Sequence, residues 1–291
     1  MFKGSYVAIV TPFKNGSVDF EKLKLLVEFQ IKNGTAGIIP CGTTGESATL
    51  NYEEHEQVID CVVKSAAGKL QVIAGTGSNS TSETIEMTAY AKKAGADGVL
   101  LVSPYYNKPT QKGLYLHFKK VADEVDIPVI LYNIQSRTAV NMEPETIAKL
   151  HNECKNIVAI KEASGSLEQM TRILTLCPNI DMLSGDDALT LPLLSIGGKG
   201  VISVVANIIP KETAELVSAY LAGDTEKAKK LHFKMFPLIK SMFIETNPIP
   251  VKTAMEILGM CSGELRLPMC EMDAKNREKL TQAMKNYGLK V

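Results

Sequence analysis

The chain has 291 residues, with 32 Lys and Arg balanced by 32 Asp and Glu, so its formal net charge is zero. That balance, with no basic stripe interleaved with aromatics and no block of like charge, argues against nucleic acid as a partner. No apolar run reaches the roughly 18 residues of a membrane span, so the expected partner is a small molecule.

The chain opens Phe2-Lys3-Gly4-Ser5 and enters a strand-like run without a signal-peptide pattern, which predicts a cytoplasmic location. Cys41, Cys61, Cys154, Cys177, Cys261 and Cys270 include no C-x-x-C pair, so free thiols are expected. Cys41 lies beside a glycine-threonine loop but has no candidate base, which favours simple packing. His55, His117, His151 and His232 are dispersed and form no ligand cluster, so no metal is expected, and without a dinucleotide fingerprint no cofactor is expected either.

Along the chain, short β-branched runs alternate with amphipathic helical patterns about every 30 residues. The predicted strands are Tyr6–Val10, Gly37–Pro40, Gln71–Ala74, Gly98–Val102, Pro128–Tyr132, Ile157–Ile160, Asp181–Ser184 and Gly200–Ser203. Between them fall helical stretches such as Phe20–Lys32, Glu53–Ala67, Ser82–Ala94, Gln111–Val125 and Glu143–His151. Strands that alternate with helices pair in parallel, and eight such units fit a closed (β/α)8 TIM barrel. An open doubly wound sheet would bring a glycine-rich phosphate turn after its first strand. Here Thr11-Pro12-Phe13 stands in that place, and Gly75-Thr76-Gly77 lacks the third glycine. After Pro210 the pattern turns helical: Lys211–Ala222, Thr225–Ile244, Pro248–Leu258 and Ala274–Tyr287. The expected organisation is a barrel over 1–223 and a C-terminal helical extension over 224–291.

Barrel chemistry gathers at the carboxyl ends of the strands, and the informative polar residues fall there. The second strand leads into Gly42-Thr43-Thr44-Gly45-Glu46-Ser47. Its glycines let backbone approach a ligand, and its amides and hydroxyls can hold a carboxylate, although a Ser/Thr-capped turn reads the same way. The fourth leads into Ser103-Pro104-Tyr105-Tyr106, where the aromatics fit core, interface or proton relay. The fifth ends Tyr132-Asn133, with Arg137 downstream as a candidate carboxylate clamp. The seventh ends Ser184-Gly185-Asp186-Asp187; Gly185 leaves room for a ligand, and Asp186 suits a helix cap. Gly197-Gly198-Lys199-Gly200 precedes the eighth strand and so lies at the wrong end for a phosphate cradle.

The sixth strand carries the sharpest signal. In Ile157-Val158-Ala159-Ile160-Lys161-Glu162, four apolar residues deliver Lys161 to the strand's carboxyl end. A lysine there can snorkel to water. Alternatively, desolvation can strip its proton and make it a nucleophile, since an unperturbed lysine is neutral about once in a few thousand molecules at pH 7. Amine, phenols, hydroxyls and guanidinium together suit a small keto acid held as an imine, with tyrosine as the acid–base group.

Several segments in order carry a resemblance: GSYVAIVTPF, CGTTGESATL, VIAGTGSNST, SPYYNKP, IPVILYN, IVAIKEASG, LSGDD, GVISVVAN, NPIPVK and LRLPM. Over essentially its full length the chain resembles the superfamily of lysine-dependent aldolases that includes dihydrodipicolinate synthase and N-acetylneuraminate lyase. The resemblance implies that Lys161 forms a Schiff base with pyruvate and that Tyr132, Thr43 and Tyr106 relay protons, Tyr106 reaching in from a neighbouring subunit. It implies that Thr44 and the backbone of Ile202 bind the pyruvate carboxylate, that Gly185 lines the pocket, and that Arg137 receives the carboxylate of L-aspartate 4-semialdehyde. The expected product is a hydroxy-tetrahydrodipicolinate on the way to lysine and diaminopimelate.

Relatives are often homotetramers with an L-lysine feedback site, matched here by Ser47, Ala48, His55, Asn79, Glu83 and Tyr105; one histidine of the usual bacterial pattern is Tyr52. A second departure is Gln135, where the family usually has a proline, and this is expected to relax the loop carrying Arg137. Two rivals stand beside this reading. A sialic-acid or keto-deoxy-sugar-acid lyase would keep the lysine and Tyr132, but Tyr105-Tyr106 and Arg137 argue against it. A catalytically silent keto-acid-binding barrel would be expected to lose the amine or the phenol.

Overall fold

The computed structural model describes residues 1–291. Its centre is a closed barrel of eight parallel strands. These are β1 (Gly4–Ala8), β2 (Gly37–Ile39), β3 (Gln71–Gly75), β4 (Gly98–Val102), β5 (Val129–Asn133), β6 (Ile157–Glu162), β7 (Asp181–Ser184) and β8 (Gly200–Ser203). Each strand pairs with its sequence neighbours, and β1 pairs with β8 to close the ring. Closure depends on a glycine, because a Cβ on Gly200 would stand 1.9 Å from the Gly4 carbonyl oxygen.

The covering helices are α1 (Phe20–Lys32), α2 (Tyr52–Ala66), α3 (Thr81–Ala94), α4 (Gln111–Glu124), α5 (Pro144–Glu153), α6 (Leu167–Leu176), α7 (Thr190–Ser195) and α8 (Pro210–Leu221). Local chemistry sets their starts. Asn51 and Glu54 form a reciprocal capping box on α2, and Thr110 and Ser166 accept from backbone amides of α4 and α6. Three further helices follow: α9 (Thr225–Ser241), α10 (Ile249–Ile257) and α11 (Ala274–Tyr287). Their apolar faces, including Met235, Leu238, Val251, Met255, Leu280 and Met284, belong to the same buried layer that lies between barrel and helices.

A second, smaller core fills the ring itself, made of Phe2, Tyr6, Ala8, Ile39, Ile73, Leu100, Ile130, Tyr132, Ala159, Leu183 and Ile202. Side chains alternate between this interior and the outer layer with period two. On β5, Ile130 and Tyr132 belong to the inner core and Val129 and Leu131 to the outer. On β6 the run is apolar throughout, so composition alone leaves its phase open. A register shift settles it: Val129 pairs with Ile157 but Ile130 pairs with Ala159, so Val158 is one extra residue, a β-bulge. Without it, Ile160 would oppose Tyr132 and Lys161 would point outward. With it, Tyr132 pairs with Lys161 and Asn133 with Glu162.

The predicted barrel and helical extension are therefore both present. Strand limits differ in detail: β1 begins and ends two residues earlier than the apolar run suggests, with Ile9 and Val10 buried in the loop that follows. The sixth strand continues through Lys161 and Glu162 rather than stopping at Ile160.

Candidate active site

Lys161 is 6% exposed and its Nζ lies 4.1 Å from the ring centroid of Tyr132 on the adjacent strand. Desolvation drives the pKa of the amine down to about 7; the carboxylate of Asp187 opposes the shift and the guanidinium of Arg137 adds to it. The same burial pushes the Tyr132 phenol up to about 12, against the pull of Arg137 and of the Thr43 hydroxyl. At neutral pH this pair therefore offers a substantial fraction of free amine beside a phenol that keeps its proton.

Gly185, just past β7, stands against the stem of this lysine. A Cβ there would lie 3.1 Å from Lys161 Cε and 2.6 Å from the Ala163 Cβ, so any larger residue would displace the nucleophile. Ile202 is on the inner face of β8, within the core of the ring.

The turn after β2 sits beside the pair through Thr43. Cys41 (φ 55°) and Glu46 (φ 53°) are both left-handed, and the chain folds back on itself so that the amides of Gly45, Glu46 and Ser47 donate to the carbonyls of Gly42 and Thr43. The amides of Thr43 and Thr44 take no partner within the chain. Two free N–H groups with two hydroxyls have the chemistry to hold a carboxylate. Cys41 itself is buried and its thiol is pushed far up by desolvation, so it packs rather than reacts.

Arg137 lies in a one-turn helix, Gln135–Thr138, closed by left-handed Ala139. Gln135 occupies the first position of that helix, where proline is favoured but other residues fit. The expected looseness at Arg137 is countered from elsewhere: its guanidinium donates to the Asn247 carbonyl at 3.0 Å. Asn247 also donates its side-chain amide to Thr44 Oγ1 at 3.0 Å. One residue of the C-terminal extension thus joins the carboxylate turn to the guanidinium.

A cavity of about 670 Å³ opens over this region. Thr43 and Arg137 form part of its wall, as do Ser47, Ala48, His55, Glu83 and Tyr105; Asn79 does not, and its carbonyl accepts from Asn107 Nδ2. Lys161 and Tyr132 lie outside its walls, buried next to Thr43. Glu83 accepts from Ser78 Oγ at 2.7 Å, and the Tyr52 phenol, exposed but partly desolvated at the cavity wall beside the Glu83 carboxylate, is raised above its ordinary range. His55 is held below its ordinary pKa by burial, with Nε2 2.8 Å from the Gly75 carbonyl oxygen. Tyr106 is apart from all of these in the single chain: 89% exposed, with φ 71°.

Two residues escaped the sequence reading. Asp187 is buried, its acidity weakened chiefly by desolvation, and its Oδ2 accepts from the amides of Val204 and Val205 at 2.9 and 3.1 Å. It is the anionic group that acts on Lys161. The pair Asp186-Asp187 was visible, and Asp186 does cap the following turn by accepting from the Ala188 amide. Asn247 offered only its place in NPIPVK as a signal.

The model of the Dihydrodipicolinate synthetase family matches residues 1–287. The chain belongs to this family. A 4-hydroxy-tetrahydrodipicolinate synthase of Endomicrobium trichonymphae is 62% identical over 289 residues, covering 99% of both chains. The crystal structure of dihydrodipicolinate synthase from Aquifex aeolicus superposes with a TM-score of 0.98 at 55% identity, covering 99% of both chains. The enzyme of Cyanidioschyzon merolae, solved with lysine bound, gives 0.96 at 45% identity, again with 99% of each covered.

Proposed function

We propose that this chain is a 4-hydroxy-tetrahydrodipicolinate synthase that condenses pyruvate with L-aspartate 4-semialdehyde through an imine on Lys161. The observation that carries the reading is the buried amine of Lys161 set against the Tyr132 phenol by strand register. Relatives at about this identity bear that enzyme's name over their whole length.

In this account the pyruvate carboxylate rests on the amides and hydroxyls of Thr43 and Thr44, with the backbone at Ile202 completing the grip. The free amine attacks the ketone carbon. The carbonyl π pair moves to oxygen, which takes the phenolic proton of Tyr132; nitrogen returns one proton to the phenolate, which passes it to the new hydroxyl, and water leaves as the nitrogen lone pair closes the C=N bond, giving the protonated imine beside the Tyr132 phenolate. Loss of a methyl proton yields the enamine, whose carbon attacks the aldehyde and forms the new carbon–carbon bond. The substrate's own amine next attacks the imine carbon, closes the ring and releases Lys161. Thr43 and Tyr106 pass protons between Tyr132 and solvent. Arg137 holds the carboxylate of the semialdehyde bidentately.

No metal or cofactor is called for, because the protonated imine is itself the electron sink. The product, a hydroxy-tetrahydrodipicolinate, feeds lysine and diaminopimelate synthesis. We further assign Ser47, Ala48, His55, Asn79, Glu83 and Tyr105 to an L-lysine effector site, in keeping with the lysine-bound relative. A homotetramer would bring Tyr106 of one subunit to the site of another, consistent with its exposure and left-handed backbone. No helix is long and apolar enough to cross a membrane, and we place the enzyme in the cytoplasm. The catalytic barrel spans 1–223 and the extension 224–291.

The test is a condensation assay with both substrates. Product formation that requires both supports the reading. Cleavage of a sialic or keto-deoxy-sugar acid without condensation would replace it with a lyase, and binding of pyruvate without turnover would make the chain a silent barrel.

A further inference from the structure

The NPIPVK and LRLPM segments are far from the barrel in sequence, and beyond the contacts of Asn247 the reaction outlined above uses neither. Both converge on Glu46, near the end of the turn that carries Thr43 and Thr44. Lys252 Nζ lies 2.5 Å from Glu46 Oε1, with the two side chains 0% and 2% exposed. The Arg266 amide donates to Glu46 Oε2 at 3.2 Å. Lys252 also donates to the Glu264 carbonyl at 2.8 Å and stands 4.1 Å from the ring centroid of Phe13, beside which the Arg266 guanidinium lies at 4.3 Å. Arg266 in turn grips both oxygens of Glu54, in the capping box of α2, at 2.6 and 2.7 Å. The turn is thereby bound on one side to the first helix turn of α2 and on the other to the C-terminal extension.

A buried ion pair of this kind is a poor source of stability. Desolvating both charges costs about as much as their attraction returns, and an apolar pair of similar volume often serves equally well. What the pair does offer is direction. Glu46 holds a left-handed backbone (φ 53°, ψ 38°), a conformation that a residue with a Cβ adopts only under restraint. The two residues that present free amides, Thr43 and Thr44, lie two and three positions before it. Release of Glu46 would let the turn relax and the two amides diverge.

We propose that Lys252 is a positioning residue for the keto-acid carboxylate, holding the Thr43–Thr44 receptor in shape through Glu46, with Arg266 as its support. This inference rests on the reading of Lys161 as the imine-forming amine. It makes the C-terminal extension part of the substrate site rather than a separate attachment.

The test compares two carbonyl probes in borohydride trapping at Lys161: pyruvate, and acetone, which has no carboxylate. Lys252→Met is expected to raise the pyruvate concentration for half-maximal trapping about tenfold, a loss typical of a displaced binding group, while acetone trapping keeps the parent's rate. The double variant Lys252→Met/Glu46→Gln removes both buried charges, so it regains stability but is expected to keep the weakened pyruvate dependence. It carries the test if the single variant fails to fold. Folded variants with the parent's pyruvate dependence, or with equal losses for both probes, would overturn the proposal. A parent protein that traps neither probe would instead overturn the assignment of Lys161.

Discussion

Tyr132 and Lys161 are register partners on adjacent strands, and the amine of one lies 4.1 Å over the ring of the other. Both titrate far from their ordinary values because one dry interior acts on opposite charges: it disfavours the ammonium and it disfavours the phenolate. A base in its free form and an acid in its protonated form therefore coexist at neutral pH, which is the combination imine formation requires.

Imine formation should accordingly depend on pH through one ionisation. With Lys161 lowered to about 7, the rate of pyruvate trapping is expected to climb through that pH and level off about one unit above it. Tyr132, raised to about 12, should contribute no decline on the mildly alkaline side. Stopped-time trapping across the range would show this profile. A rate still rising steeply towards pH 10 would mean that the amine is not desolvated.

The same lysine should weaken the fold. In the unfolded chain it keeps its proton up to its ordinary 10.5, whereas in the fold it releases it near 7. Between those values the unfolded chain binds more protons, so this group's contribution to stability rises with pH across that window, and below it the full cost of burying the ammonium is present. Lys161→Met should raise Tm by about 2 °C or more near pH 6, with a smaller gain near pH 9. Thermal melts at the two pH values decide it; an equal or larger gain at the higher pH contradicts the sign.

The strand pattern, the barrel and the terminal helices were all legible in the amino-acid order, because alternation of strand and helix is a local property. So was the position of Lys161 near a strand end. The phase of the sixth strand was not: four consecutive apolar residues fit either face, and only the pairing with β5 shows that Val158 is an extra residue which turns Lys161 inward. Asn247 and Lys252 were equally silent, since their partners Thr44 and Glu46 lie some 200 residues away and nothing local marks such contacts. Asp187 was in view, but its action on Lys161 depends on how β6, β7 and β8 sit together.

Arg137 should govern the second substrate more than the first. It is exposed at the cavity wall and tied to Asn247 rather than to a carboxylate. Arg137→Ala is expected to raise KM for the semialdehyde about tenfold to a hundredfold, the range of a charge-assisted bidentate contact. The pyruvate dependence of trapping at Lys161 should change far less. Steady-state kinetics with each substrate varied in turn would reveal the split, and an equal effect on both would remove Arg137 from its assigned role.

Tyr106 offers a test of assembly. If it completes a neighbouring subunit's relay, Tyr106→Phe should lower kcat about a hundredfold. Mixing that variant with Lys161→Ala, itself inactive, should restore part of the activity, because some sites then combine an intact amine with an intact phenol. Assays of mixed and separately refolded samples would measure the recovery. No recovery from well-mixed oligomers would place Tyr106 outside the neighbour's site.

The central claim is that Lys161 is the nucleophile, and its most direct test is intact-protein and peptide mass spectrometry after incubation with pyruvate and borohydride. The expected result is the mass gain of one reduced pyruvate imine per chain, mapped to Lys161 and absent from Lys161→Ala. An unmodified parent, or an adduct on any other lysine, would contradict it.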